Sequence, residues 1–141
     1  MILCGQKEFI GAWVAERIGN KTPWHCYEAI GIIKDGQIVG GAVIDNYIFE
    51  ARCSVHCAGI GKKWMTRDFL PVVFDYIFRQ LKCNAVLNIV DSNNHASIKF
   101  TSHVGFKEIY RIKNGSHNGG DAVLFEMQKD DCKWIKSKEI Q

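Results

Sequence analysis

A short glycine-bearing loop near the middle of the chain has the residue types that bind phosphate groups. It reads Ala58-Gly59-Ile60-Gly61-Lys62-Lys63 and comes just before a predicted helix that begins near residues 64–66. Free backbone N–H groups at a helix N-terminus attract anions, and glycines let a ligand approach them closely. The two lysines and Arg67 add positive charge, and the Thr66 hydroxyl adds a donor. The loop is therefore either a phosphate site or an ordinary turn, and it matches neither a P-loop nor a dinucleotide-binding fingerprint.

Before this loop, residues 47–57 alternate like a strand with two different faces. One face carries the polar side chains Glu50, Arg52, Ser54 and His56, whereas the cysteines of this run lie on the other face. A carboxylate and an imidazole are side chains that transfer protons in catalysis. This strand is therefore a candidate source of acid–base chemistry.

The cysteines of that strand do not form a metal site. Cys53 and Cys57 share a face, but four residues of extended chain place them roughly 13 Å apart, too far for one tetrahedral ion. The chain has six cysteines, and nothing in the sequence directs secretion, so we expect reduced thiols and no cysteine nucleophile. We predict no metal and a cytoplasmic location.

The elements that would position these residues follow from apolar spacing and turn signals. Helical periods cover residues 7–18, 69–81 and 96–103, and Pro71 predicts a late or irregular start for the second helix. Strand patterns cover residues 27–33, 38–44, 47–57, 85–90, 106–112 and 122–127, with Asp35-Gly36 as a hairpin turn. Trp134 is the predicted anchor of the C-terminal tail. This order of elements predicts a mixed sheet with helices packed on its faces.

Length and composition fit one compact domain. The chain has 141 residues, of which 47% are hydrophobic and 23% charged, and its net charge is +3. We expect a single domain over residues 1–141. The small positive charge does not indicate nucleic acid binding, and the apolar runs are too short for a membrane helix.

Two groups of motifs carry a resemblance to a known family. Asn94-His95-Ala96-Ser97 with Gly105-Phe106, and Asp75-Tyr76-Ile77-Phe78-Arg79-Gln80-Leu81, resemble the acetyl-CoA-binding half of the GNAT superfamily of N-acetyltransferases, near the branch that acetylates ribosomal-protein N-termini. Trp64-Met65-Thr66-Arg67 and Asp131-Cys132-Lys133-Trp134 are similar to segments of small phage- or prophage-encoded GNAT proteins. The resemblance runs from Glu50 to about Met127, and more loosely through the N-terminal helix and hairpin.

The resemblance implies a fold and a cofactor. The fold is α/β (α+β), with one mixed, mostly antiparallel sheet, a V-shaped split between two strands, and helices on both faces. Acetyl-CoA would enter the split as co-substrate. Strand residues 52–57 would pair with the pantetheine amides, and Asn94 and Ser97 would lie beside the cofactor. The implied cofactor-binding residues are Val55, Cys57, Gly59, Ile60, Gly61, Lys62, Lys63, Thr66, Arg67, Asn94 and Ser97.

The implied reaction is the attack of a neutral amine on a thioester, which needs a base for the ammonium proton. Glu50 is the preferred base and His56 the alternative, with Ser54 on the same strand face as the third catalytic candidate. A backbone N–H near Val55 would polarise the thioester carbonyl. A protein or small-molecule amine is the expected acceptor.

Trp24, Asn46 and Tyr47 are the predicted acceptor-binding residues. The resemblance also implies a location in the cytoplasm of a host cell if the gene is phage-encoded, and it leaves a homodimer possible.

Two departures from the family keep a second interpretation open. Trp64 stands close after the second loop glycine, and Thr101 stands where many members have a tyrosine acid. A binding module with a degenerate cofactor pocket, acting through a macromolecular partner, is the alternative.

Overall fold

The computed structural model describes residues 1–60 and 65–135, which form a seven-stranded sheet with helices on both faces. The sheet order is β1-β2-β3-β4-β5-β7-β6, and β4–β5 is its one parallel pair. This architecture confirms the predicted fold class. The strands are β1 Ile2–Leu3, β2 Glu28–Lys34, β3 Gln37–Ile48, β4 Arg52–Gly59, β5 Ala85–Asp91, β6 Lys107–Ile112 and β7 Ala122–Gln128. The helices are α1 Lys7–Ile18, α2 Leu70–Asp75 and α3 His95–Val104.

Helix α1 covers one face of the sheet, over the strands β2 to β4. Its buried residues Ile10 and Val14 pack against Ala29 and Val43. The helix ends at Gly19, whose φ of 72° is the left-handed conformation that favours glycine at this position. Both the helix and its predicted end are confirmed.

Helices α2 and α3 cover the opposite face and enclose the larger core. Phe69, Phe74 and Phe78 are almost completely buried there, against Val86 of β5 and Phe125 of β7. The sequence around Pro71 predicts irregular helical turns, and the structure confirms them. π-helical turns, Met65–Phe69 and Tyr76–Gln80, flank α2 on both sides.

The C-terminal segment is tied back to α3. The Trp134 indole N–H donates a hydrogen bond to the Val104 carbonyl at 2.9 Å, and Ile135 is 1% exposed. The predicted anchoring role of Trp134 is confirmed. None of the helices in residues 1–60 and 65–135 is long and apolar enough to span a membrane.

The strand predicted over residues 47–57 is wrong at its N-terminal end. β3 continues to Ile48, a turn occupies residues 49–51, and β4 begins only at Arg52. A β-bulge between Asp45 and Ile48 interrupts the register, and Asn46 has a φ of 51°. Glu50, also at a φ of 51°, therefore lies in the turn and not on the polar face of the strand. The alternation from Cys53 onward is confirmed.

Candidate functional site

The sheet opens into a split between β4 and β5. Arg52–Ser54 pair in parallel with Ala85–Leu87, and pairing between the two strands stops there. Beyond that point β4 continues to Gly59 against β3 alone, and β5 continues to Asp91 against β7 alone. Beyond Ser54, the edge of β4 that faces β5 therefore carries backbone N–H and C=O groups that no strand of the described chain satisfies. An extended ligand that bears amide groups could pair with this edge.

A cavity of about 130 Å³ occupies this split and reaches both faces of the sheet. On one face it is lined by Ile18 of α1 and by His56. On the other face it is lined by Leu70 and Phe74 of the α2 helix. An opening that passes through a sheet lets two ligands meet from opposite sides, which is the geometry that a two-substrate transfer requires.

Four of the predicted cofactor residues line the cavity together. These residues are Val55, Cys57, Asn94 and Ser97. Asn94 is also the N-cap of α3, because its side-chain oxygen accepts a hydrogen bond from the Ser97 N–H at 3.1 Å. The cap fixes the first turn of α3 at the edge of the split.

The predicted phosphate loop is described only in part. Gly59 ends β4, and the Ile60 N–H donates to the Val39 carbonyl at 2.8 Å, so that amide is already used within the protein. Gly61, Lys62 and Lys63 lie outside the described residues, and so does the side chain of Thr66.

Arg67 is exposed but already paired. Its guanidinium donates two hydrogen bonds to Asp68, at 2.8 and 3.1 Å, and the Asp68 carboxylate also lies 3.5 Å from Lys34 Nζ. The hydrogen bond from Arg67 lowers the pKa of Asp68, and the same bond raises the pKa of Arg67. A phosphate group at this position would compete with Asp68 for the guanidinium.

The most organised polar group at the cavity is His56 with its partners. His56 Nε2 lies 2.9 Å from Asp45 Oδ1, and the two side chains are 19% and 13% exposed. The Trp24 ring packs on the imidazole, with 4.9 Å between the ring centroids. Trp24 is itself held by a 2.8 Å hydrogen bond from its indole N–H to the Gly11 carbonyl. The imidazole is therefore fixed both by a hydrogen bond and by packing.

The other catalytic and acceptor candidates lie away from the cavity wall. Ser54 is 6% exposed and pairs across the strands with Asp45. Asn46 is exposed in the bulge. The Tyr47 hydroxyl donates to the Leu81 carbonyl at 2.9 Å and accepts from the Glu50 N–H at 3.0 Å, so it braces the turn at the closed end of the split.

Burial suppresses the reactivity of the cysteine at the cavity. Desolvation raises the pKa of the Cys57 thiol to about 12. Burial likewise raises the pKa of Cys53, which lies further back in the core. A thiol with so high a pKa stays protonated at neutral pH, and the protonated form is a poor nucleophile.

Two further polar residues, Thr101 and Asp91, line the cavity. Thr101 is 4% exposed, and its hydroxyl accepts a hydrogen bond from the Asn88 side chain at 3.3 Å. Asp91 also lines the cavity, and the backbone N–H of Asn93 lowers the pKa of its carboxyl. The Asp91 Oδ1 accepts this hydrogen bond at 2.8 Å, so the loop after β5 holds the carboxylate.

Asp45 is the residue that sequence reasoning missed. The strand predicted over 38–44 stops one residue before it, so Asp45 had no place on a strand face. In the structure Val43 pairs with His56 and Asp45 pairs with Ser54, which makes Asp45 and His56 diagonal neighbours on one face. The signal that could have identified Asp45 is the length of the hairpin between β3 and β4, which continues past residue 44 through a bulge.

Solved structures share this fold. The spermidine N-acetyltransferase SpeG F149A mutant from Vibrio cholerae matches 98% of this chain and 99% of its own, with a TM-score of 0.75 and 12% identity. The ribosomal-protein-S5-alanine acetyltransferase from Vibrio fischeri matches over 76% of this chain, with a TM-score of 0.63 and 19% identity. The N-acetyltransferase PseH from Campylobacter jejuni, in complex with acetyl coenzyme A, matches 73% of this chain and 68% of its own, with a TM-score of 0.59 and 17% identity.

The matched share of each chain and the sequence identity determine what these comparisons establish. The chain spans 64% of the length of the Vibrio fischeri enzyme and 63% of a probable acetyltransferase that it also matches. No protein-family model matches the chain, and no curated protein matches its sequence. At identities of 20% or less the likeness is one of fold, and the protein has the fold of the GNAT N-acetyltransferases.

Proposed function

We propose that the protein is an acetyl-CoA-dependent N-acetyltransferase that acts on a primary amine by direct attack in a ternary complex. The observation that carries the proposal is the split between β4 and β5, whose cavity reaches both faces of the sheet. One face would admit the cofactor arm, and the other would admit the acceptor. Both the fold and the sequence motifs support this arrangement.

The cofactor would lie along the free edge of β4. From Val55 to Gly59 this edge offers backbone groups to the two pantetheine amides, as an added strand would. Asn94 and Ser97 would contact the arm from the first turn of α3. The loop of residues 59–63 and Arg67 would hold the pyrophosphate, as the sequence indicates.

His56 is the base that the geometry supports best. Its imidazole lines the cavity on the α1 face, where the acceptor would arrive, whereas Glu50 lies in the turn before β4. Glu50 is exposed in that turn and is not one of the residues that line the cavity. Glu50 would need a relay to reach an amine in the cavity, and His56 would not.

The transfer itself balances without a covalent enzyme intermediate. The amine nitrogen forms a bond to the thioester carbon, His56 takes the ammonium proton, and the C–S bond breaks to release the thiolate of CoA. A backbone N–H near Val55 would stabilise the oxyanion. The raised pKa of Cys57 argues against an acyl-cysteine route, and Thr101 has too high a pKa to replace a tyrosine acid.

The acceptor is a primary amine, and two kinds should be compared. The sequence resemblance to the branch that acetylates ribosomal-protein N-termini favours a protein N-terminus, and similarity to the spermidine N-acetyltransferase SpeG suggests a polyamine. An assay of CoA thiol release should therefore pair acetyl-CoA with N-terminal peptides, lysine and spermidine. Transfer to at least one amine would support the proposal. Absence of both cofactor binding and transfer would favour the binding-module alternative.

A further inference from the structure

Asp45 has a feature that the proposed reaction does not by itself explain. It is a carboxylate on a sheet, only 13% exposed, and its Oδ1 lies 2.9 Å from His56 Nε2. Placing a charged group in so little water is costly unless it is paired. In the part of the chain that the structure describes, His56 is the side chain that pairs with it.

The chemistry of this contact determines which ring nitrogen carries the hydrogen. An ionised carboxylate only accepts hydrogen bonds, so Nε2 of His56 must be the donor. In the neutral ring the lone pair is then on Nδ1. The atom that can take a proton from an incoming ammonium group is therefore Nδ1, and the neighbouring carboxylate offsets the positive charge that the ring acquires.

The surroundings of the pair hold it in one arrangement. Trp24 packs against the His56 ring and is anchored to Gly11 of α1. A Cβ at Gly11 would lie 3.0 Å from Trp24 Cδ1, so a larger residue there would displace the indole. The β-bulge begins directly after Asp45, and bulges of this kind re-aim the side chains next to them.

We propose that Asp45 is a positioning residue for the base: it fixes the Nε2–H tautomer and the orientation of His56 and offsets the charge of the protonated ring. This inference rests on the proposed function, in which His56 removes the ammonium proton. It adds a residue that the sequence motifs did not contain. Trp24 then acts through the same ring, as the packing surface that stops its rotation.

The first experiment reads the tautomer directly in the unmodified protein. The chain has five histidines, and loss of one signal set in His56→Ala assigns the ring. In protein labelled with [15N]histidine, the His56 nitrogen shifts at a pH where the ring is neutral should show a protonated Nε2 and a bare Nδ1. The Nδ1–H tautomer, or an even mixture of the two, would overturn the inference.

The second experiment separates positioning from structure. Asp45→Asn should lower kcat by roughly ten- to a hundredfold, because the amide can present either a donor or an acceptor to Nε2. The KM for acetyl-CoA should change little, and Asp45→Glu should restore part of the rate. Asp130→Asn, an exposed aspartate in the C-terminal segment, is the matched control.

The two possible failures are distinguishable. If His56→Ala is inactive while Asp45→Asn turns over at the normal rate, Asp45 does not position the base, and the proposed function stands. If His56→Ala itself keeps the normal rate, His56 is not the base, and the role of Asp45 fails with it. Binding of acetyl-CoA to both variants tests the cofactor half independently of either result.

Discussion

At the scale of single residues, the site is defined by where the strands end and the turns begin. Glu50 and His56 lie on the same run of sequence, and only the structure separates them. β3 continues through the bulge after Asp45 to Ile48, and Glu50 lies in the turn that follows, whereas His56 lies within β4 and contacts Trp24. In the proposed reaction, the carboxylate that supports proton transfer is therefore that of Asp45, through its contact with the imidazole.

Substitution of each candidate base should therefore give opposite results. His56→Ala should lower kcat by roughly 10²- to 10⁴-fold, the range that a positioned base contributes. Glu50→Gln should keep kcat within about twofold of the parent, since its side chain is exposed in a turn. Steady-state rates at saturating acetyl-CoA measure both. A collapse of the Glu50→Gln rate would return the base to Glu50.

Arg67 should become a better phosphate ligand when its partner is removed. Asp68→Asn takes away the carboxylate that holds the guanidinium, so acetyl-CoA should bind roughly two- to tenfold more tightly, with a steeper salt dependence. Glu108→Gln is the matched control, because Arg111 makes the same two hydrogen bonds to Glu108, at 2.9 and 3.1 Å, away from the cavity. Equal affinities in all three proteins would show that Arg67 does not contact the phosphates.

At the scale of elements, close packing of α1 on β3 holds the face of the split on which His56 lies. Gly41 of β3 lies directly beneath the helix, and a Cβ there would be 2.8 Å from Val14 Cγ2 and 3.1 Å from Ile10 Cγ2. The same helix carries Gly11, to which Trp24 is hydrogen-bonded. The position of Trp24 against His56 therefore depends on how close the helix lies to the sheet.

Gly41→Ala should weaken this packing. We expect a loss of roughly 1–3 kcal/mol in the free energy of unfolding, the usual cost of forcing extra volume into a packed interface. Urea unfolding of Gly41→Ala, Val14→Ala and the double variant measures it. The double variant should lose less than the sum of the single ones, because the smaller residue 14 leaves room for the new methyl group. Strict additivity would contradict the clash.

Most elements were predictable because their signals are local. The period of α1, the Asp35-Gly36 turn, and the Asn94 and Gly105 caps of α3 each depend on a few neighbouring residues. β1 was missed because a two-residue strand has no period of its own. The Asp45–His56 contact was missed because it depends on the register between two strands and on a bulge, neither of which a single strand pattern specifies.

At the scale of the whole molecule, buried thiols link stability to pH. Burial raises the pKa of Cys53, Cys57 and Cys83 above the value of 9.0 that an unperturbed thiol has. Below pH 9 both the folded and the unfolded chains keep these protons, so the thiols have no effect. Above pH 9 the unfolded chain releases protons first, and the free energy of unfolding must fall as pH rises.

The melting temperature should therefore decrease between pH 9 and pH 11, and removal of one buried thiol should reduce the slope. Cys53→Ala is the informative variant, and Cys4→Ala, at an exposed cysteine, is its control. Cys53→Ala lowers the melting temperature at every pH because it empties core volume. Only the change of slope tests the linkage, and identical slopes in all three proteins would contradict it.

The central claim is that acetyl-CoA lies in the split between β4 and β5. Isothermal titration of the protein with acetyl-CoA, CoA and ATP tests this claim most directly. The variant Ser97→Trp places a large side chain in the cavity. Ser102→Trp, at an exposed position of the same helix, is its control. We predict micromolar binding of acetyl-CoA and CoA but not ATP, lost in Ser97→Trp and kept in Ser102→Trp. No binding of either CoA species, or binding that Ser97→Trp leaves unchanged, would contradict the claim.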